Sequence, residues 1–132
     1  MDELRAFADL DGRVALVTGC GSPDGIGFAT ARLLGRQGAK VAITSTTERI
    51  QERVAELGDE GITASGHVAD LTDPDEAARV VAETVEIHGG LDILVNNAGM
   101  SQVGTEDLGR PFAELSPEEW QAGIDRNLNL TA

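Results

Sequence analysis

The stretch VTGCGSPDGIG, residues 17–27, sets glycine, serine and proline between an apolar run and an alanine-rich one. Glycine tolerates positive φ and lets a ligand approach the main chain, so this cluster between a strand and a helix describes a loop shaped around a bound group. A strand ending at Gly19 and a helix beginning near Gly25 aim several backbone N–H groups, and the positive end of the helix dipole, at one point. A pyrophosphate fits there. No Lys-Ser or Lys-Thr follows the last glycine, so this is not a Walker loop. Taken alone, the loop is equally compatible with an ordinary strand-to-helix connection.

Working outward, the apolar runs at 14–17, 41–43 and 91–95 are short and mostly continuous, as strands covered on both faces should be, and 62–68 is a weaker fourth. Helical patterns lie between them. Residues 26–37 carry Ile26, Ala29, Leu33 and Leu34 at helical spacing, with Gly38 placed to end the helix. Ile50, Val54 and Leu57 mark a second helix, expected to stop at Gly58. A third begins at Asp73, where Asp73 can cap, Pro74 fits the first turn and Glu76 holds the capping-box position. It runs through Ala77, Val81 and Val85 to Gly89, and the same grammar at Ser116, Pro117, Glu118 and Glu119 starts a fourth helix toward Asn127. Strict alternation of strand and helix predicts one α/β domain, residues 1–132, around a parallel sheet. The loop 99–114 follows the last strand, on the edge of the sheet that usually carries function.

The chain has 10 Lys and Arg against 23 Asp and Glu, a formal charge of −13. Nucleic acid and anionic membranes, which need a basic surface, are therefore not expected partners. No stretch approaches the apolar length that crosses a bilayer, and Asp2, Glu3, Arg5 and Asp9 break any signal-peptide pattern, so a cytoplasmic location is expected. Cys20 is the only cysteine, which excludes an intrachain disulfide. His67 and His88 are far apart in the chain and lack partners at metal-ligand spacing; they read as structural, and no metal is expected. Phe112 and Trp120 read as core anchors.

Four separated motifs change the weight of the glycine loop. Thr18-Gly19 with Gly25-Ile26-Gly27, then HVADLTD at 67–73, LVNNAG at 94–99 and Asn127-Leu128 occur in the order and spacing of the short-chain dehydrogenase/reductase family, which the chain resembles from about Leu10 to its end. The resemblance implies a Rossmann-like doubly wound parallel sheet, truncated after the fourth strand and the following helix, that binds NAD(P)H. It places Gly19, Ser22, Gly25, Ile26 and Gly27 at the cofactor's pyrophosphate, and Asp70, with Leu71 beside it, near the adenine. It places Asn97, Ala98 and Gly99 beside the ribose and nicotinamide. Asn97 could equally tie neighbouring strands, and Asp70 could equally be a turn acid. Asn127 matches the family's active-site asparagine, which helps hold a water on the proton-relay path.

Two departures from the family pattern matter. Five residues, Cys20 to Asp24, separate the first two glycines where the family usually has three, and Asp24 stands where many NADP-dependent relatives have a basic residue. The second strand ends in Thr44-Ser45-Thr46, without the Asp that in NAD-preferring relatives grips the ribose 2′-OH and repels a 2′-phosphate. Hydroxyls at Ser45 and Thr46, with the guanidinium of Arg49, could take that phosphate, so NADP is favoured over NAD.

Hydride transfer to a carbonyl needs an acid for the developing alkoxide, which in this family is a Tyr with a Lys four positions on. This chain has no Tyr, and its one Lys, Lys40, precedes the second strand. The resemblance therefore implies the cofactor-binding part of an oxidoreductase acting on a small carbonyl or alcohol substrate, completed by a complementary C-terminal chain or within a homo-oligomer. The alternative is a dinucleotide-binding or interaction module without turnover.

Overall fold

The apolar runs become the strands of one parallel sheet. The computed structural model describes residues 9–99 and 116–118. In chain order these form β1 (Val14–Val17), α1 (Ile26–Arg36), β2 (Lys40–Ser45), α2 (Ile50–Asp59), β3 (Ala64–Val68), α3 (Pro74–His88) and β4 (Ile93–Val95). The sheet order is β3-β2-β1-β4, all parallel, with Val17 opposite both Ile43 and Val95. The period-2 alternation of a strand sends Ala15, Val17, Val41 and Ile43 to one face, where they pack with Phe28 and Ala31 of α1 and Ile50 and Leu57 of α2. Leu16 and Ala42 point to the other face and meet Ala69 and Val80.

The faces that the helices bury differ from the expected ones. On α1, Ile26 and Leu33 are exposed and the sheet contact is made by Gly27, Phe28 and Ala31. Gly27, Ala31 and Gly35 repeat every fourth residue and let the helix approach closely: a Cβ on Gly35 would lie 2.5 Å from Ile62 Cγ2. Close approach selects small residues, and the apolar periodicity of larger ones misplaces the face. On α3 the buried residues are Val80, Thr84 and His88, whereas Val81 and Val85 are exposed. The Thr84 hydroxyl is satisfied within the helix by the Val80 carbonyl at 2.8 Å, so its burial costs little.

Helix ends follow capping chemistry with two corrections. α2 continues through Gly58 to Asp59, and the left-handed residue that terminates it is Gly61, at φ +79. Asp73 caps α3 by accepting from the Asp75 N–H at 2.9 Å, Pro74 opens the helix, and Gly89 closes it at φ +92. Glu76 does not complete the capping box; its Oε1 accepts from the Asp70 N–H, while the Asp73 N–H donates to the Asp70 carbonyl. β3 begins at Ala64 and β4 at Ile93, later than the apolar runs. Pro117 and Glu118 are helical. The rest of the expected fourth helix, with Trp120 and Asn127, and the loop 100–115, with Phe112, lie outside the described residues. No helix among the described residues is long and apolar enough to cross a membrane.

Candidate functional site

The chain runs from β1 outward to β2 and β3, and β4 then adds on the opposite side of β1. Such a reversal opens a crevice at the carboxyl ends of the two strands. The glycine loop leaves β1 there, and Asn97 and Ala98 follow β4.

Thr18, the first residue past β1, organises both sides. Its hydroxyl oxygen accepts from the N–H groups of Asn97 (3.1 Å) and Ala98 (2.9 Å), and the Asn97 side-chain amide donates to the carbonyls of Thr18 (3.2 Å) and Gly19 (3.1 Å). Both amide protons of Asn97 are thus used to tie β1 to β4. Gly19 sits at φ +72, and a Cβ there would lie 2.8 Å from Ala98 Cα. A Cβ on Gly27 would meet the Gly19 carbonyl oxygen at 2.4 Å and Asn97 Nδ2 at 2.5 Å. These contacts make glycine necessary at 19 and 27 for the protein's own packing. Gly25 is different: its φ is −81, and the nearest atom to a Cβ there is Ser22 Cβ at 3.4 Å.

The N-terminus of α1 carries no side-chain cap and no acid in its first turn. The N–H groups of Ile26, Gly27 and Phe28 therefore have no intrahelical acceptor, and an anion of pyrophosphate type fits that end by charge and by hydrogen-bond need. Ile26 is 78% exposed at the same end. Ser22 shapes the loop internally, its Oγ accepting from the Asp24 N–H and its carbonyl from the Gly25 N–H. Gly99 follows at φ +131.

At the tip of β2, Ser45 is buried and its hydroxyl donates to the Thr47 carbonyl at 2.6 Å. Thr46 and Arg49 are exposed, and Arg49 lies over Gly21, where a Cβ would meet its Nε at 2.5 Å and Ser45 Cβ at 2.9 Å. After β3, Asp70 Oδ1 accepts from the Thr72 hydroxyl and N–H, which hold the carboxyl below its usual range. Leu71 packs against the Leu16 and Ala42 side of the core.

Cys20 is buried, its thiol donating to the Val17 carbonyl, and burial pushes its pKa up to about 12, so it is inert as a nucleophile. His67 and His88, distant in sequence, are brought together through Ser65, whose Oγ lies 2.8 Å from each Nε2. His67 Nδ1 meets Glu83 Oε1 at 2.8 Å. No metal-binding cluster occurs among the described residues. Thr18, Thr44 and Arg53 were not among the sequence-derived site residues. Thr44 Oγ1 accepts from the Gly19 N–H and Arg53 Nη1 donates to the Gly21 carbonyl, contacts between residues far apart in the chain that no local pattern records.

An open parallel sheet with its order reversed beside a glycine loop defines the Rossmann-like, doubly wound α/β class. Residues 13–131 match the family model for short chain dehydrogenases, and the chain belongs to that family. The dehydrogenase/reductase SDR family member 4 of Bos taurus is 39% identical over 128 residues, covering 93% of this chain and 42% of the relative. A short chain dehydrogenase from Mycobacterium smegmatis superposes with a TM-score of 0.82 at 34% identity, over 92% of this chain and 49% of that one. A metagenomic short-chain oxidoreductase in complex with NADP gives 0.78 at 37% identity, over 93% of this chain and 53% of that one. The chain thus spans less than half the length of the curated relative and about half that of the solved structures.

Proposed function

We propose that the chain is the cofactor-binding part of an NAD(P)-dependent oxidoreductase that moves hydride between a nicotinamide and a small carbonyl or alcohol substrate in the cytoplasm. The observation that carries this reading is the convergence of the uncapped α1 N-terminus, the closely packed Gly19 and Gly27, and the Thr18–Asn97 tie at one crevice. Gly25 and the first N–H groups of α1 would hold the pyrophosphate, with Ser22, Ile26, Ala98 and Gly99 around the cofactor and Asp70 toward its adenine. The bound cofactor supplies the hydride. Asn127 stands, by the family resemblance, on the proton path.

NADP is the favoured form, because the β2 tip presents the exposed Thr46 and the Arg49 guanidinium and no carboxylate at the last strand position, Ser45 being buried with its hydroxyl bonded to the Thr47 backbone. The solved relative bound to NADP is consistent with this. No tyrosine exists in the chain to protonate the alkoxide, so the 132-residue polypeptide alone should bind the cofactor without reducing a carbonyl. A complementary C-terminal segment carrying a tyrosine would supply the missing acid; a second copy, identical and without tyrosine, would not. That same absence favours, as the second reading, a dinucleotide-binding module without turnover. Titration with NADPH, followed by its fluorescence, tests the binding shared by both readings; a flat titration overturns both. Carbonyl reduction by purified 132-residue material would overturn the assigned lack of an acid.

A further inference from the structure

Arg53 lies on α2, outside every motif of the family resemblance, yet its side chain is only 8% exposed. Arginine is almost never buried to that extent unless paired, and a buried ion pair is commonly replaceable by apolar residues of similar size. Glu56 and Glu52 pair with Nη2 at 2.7 and 3.4 Å, both on the same helix and both solvent-accessible. Those local pairs do not require the guanidinium to be buried. What lies at its inner end is the glycine loop: Nη1 donates to the Gly21 carbonyl at 3.3 Å while the guanidinium carbon sits 5.7 Å from the centre of the Phe28 ring. Its Nε is buried with no acceptor among the described residues, a cost retained in the fold. Among the described residues, the Arg53 bond is the one hydrogen bond that ties residues 21–24 to another element; the remaining bonds of this segment are to its own neighbours. On the other side of Gly21, Arg49 closes over the main chain.

We propose that Arg53 is a positioning residue of the dinucleotide site, which holds the lengthened segment 20–24 in its binding shape by fixing the Gly21 carbonyl from beneath. The inference rests on the glycine loop being the cofactor site. A loop two residues longer than the family's usual one has more freedom to lose on binding, and a buried donor on a rigid helix removes that freedom in advance. The Phe28 ring lies within cation–π reach of the Arg53 guanidinium, with Arg32 nearer to the same ring at 4.7 Å, so α1, α2 and the loop meet around Arg53.

The test compares the full chain with its Arg53→Met and Arg53→Lys variants by NADPH titration, thermal melting and amide hydrogen exchange of residues 20–25. Arg53→Met keeps the packing on Phe28 and removes the donor. It should weaken NADPH binding about tenfold and speed exchange of the loop amides, with a melting temperature close to that of the parent. Arg53→Lys, which restores a cationic donor without the guanidinium fork, should recover part of both effects. Parental affinity and exchange in whichever variant folds would overturn the proposal, as would weakening that merely follows a lowered melting temperature. If the parent itself binds no NADPH, the reading of the site fails, and the exchange of the loop amides still decides the role of Arg53.

Discussion

At the residue scale, three of the loop's four glycines, Gly19, Gly25 and Gly27, separate into two kinds. Gly19 and Gly27 face protein backbone so closely that a methyl group has nowhere to go, whereas Gly25 has an ordinary φ and room for a Cβ at van der Waals contact with Ser22. Gly27→Ala should therefore destabilise the fold, by about 1–3 kcal/mol as for other overpacked sites, and weaken dinucleotide binding as a consequence. Gly25→Val should melt close to the parent and lose NADPH binding, because beyond an ordinary van der Waals contact with Ser22 its side chain lies where the pyrophosphate would bind. Calorimetry and titration of both variants check this pair; loss of stability in Gly25→Val with binding retained would move the pyrophosphate elsewhere. Arg49 gives a second residue-scale prediction. Its guanidinium has no ion-pair partner among the described residues and lies at the β2 tip, so Arg49→Ala should reduce affinity for NADPH about tenfold and leave NADH nearly unchanged. Equal loss for both cofactors would show that Arg49 acts on the loop and not on a 2′-phosphate.

At the element scale, what was legible in the sequence is what local chemistry determines. The Asp73–Pro74 start of α3, its Gly89 end, the parallel sheet and the position of the glycine loop all follow from capping, turn and periodicity rules applied to neighbouring residues. The buried faces of α1 and α3 do not, because they are set by how closely each helix approaches the sheet. The His67–Ser65–His88 chain likewise joins β3 to the last turn of α3 across a gap that no spacing rule spans. With His67 Nδ1–H donating to Glu83, its Nε2 lone pair accepts from the Ser65 hydroxyl, whose oxygen then accepts from His88 Nε2–H, a donor that His88 keeps whether neutral or charged. Burial first, then Lys40 and His67, lower the His88 pKa below 6.5, while hydrogen bonding by His67, with Arg79 assisting, lowers that of Glu83 below 4.5. A depressed folded-state pKa means stability present above the unfolded value and lost as pH falls through it. The docking of α3 should therefore weaken first below pH of about 6.5, through His88, and again as Glu83 is protonated at lower pH. Melting curves from pH 8 to 5 should show this loss in the parent and a flatter profile in His88→Phe; identical slopes would exclude His88 as the sensor.

At the scale of the whole molecule, the sheet has one well-protected interior and one open side. β2 and β1 are paired on both edges and almost wholly buried, whereas β4 pairs only with β1 among the described residues and is three residues long. Leu94 at its centre is 53% exposed, and Val81, Val85 and Ile87 of α3 are exposed as well. An edge strand carries unpaired N–H and C=O groups and templates pairing with another chain. Covering each of the four apolar side chains recovers on the order of 1 kcal/mol, which counts against a net stability of about 5–15 kcal/mol for a domain. The curated and solved relatives have roughly as much sequence again beyond the part this chain matches, and we expect a segment complementary to this one to lie along this side. The 132-residue polypeptide by itself should therefore self-associate in proportion to its concentration. Leu94→Lys, which sets a charge on the edge without touching the glycine loop, should shift it toward monomer while leaving NADPH affinity within about twofold. Light scattering over a concentration series checks both. A parent that stays monomeric and melts cooperatively at every concentration would show that β4 needs no covering strand, and would favour the stand-alone binding module over the cofactor-binding part of a larger enzyme.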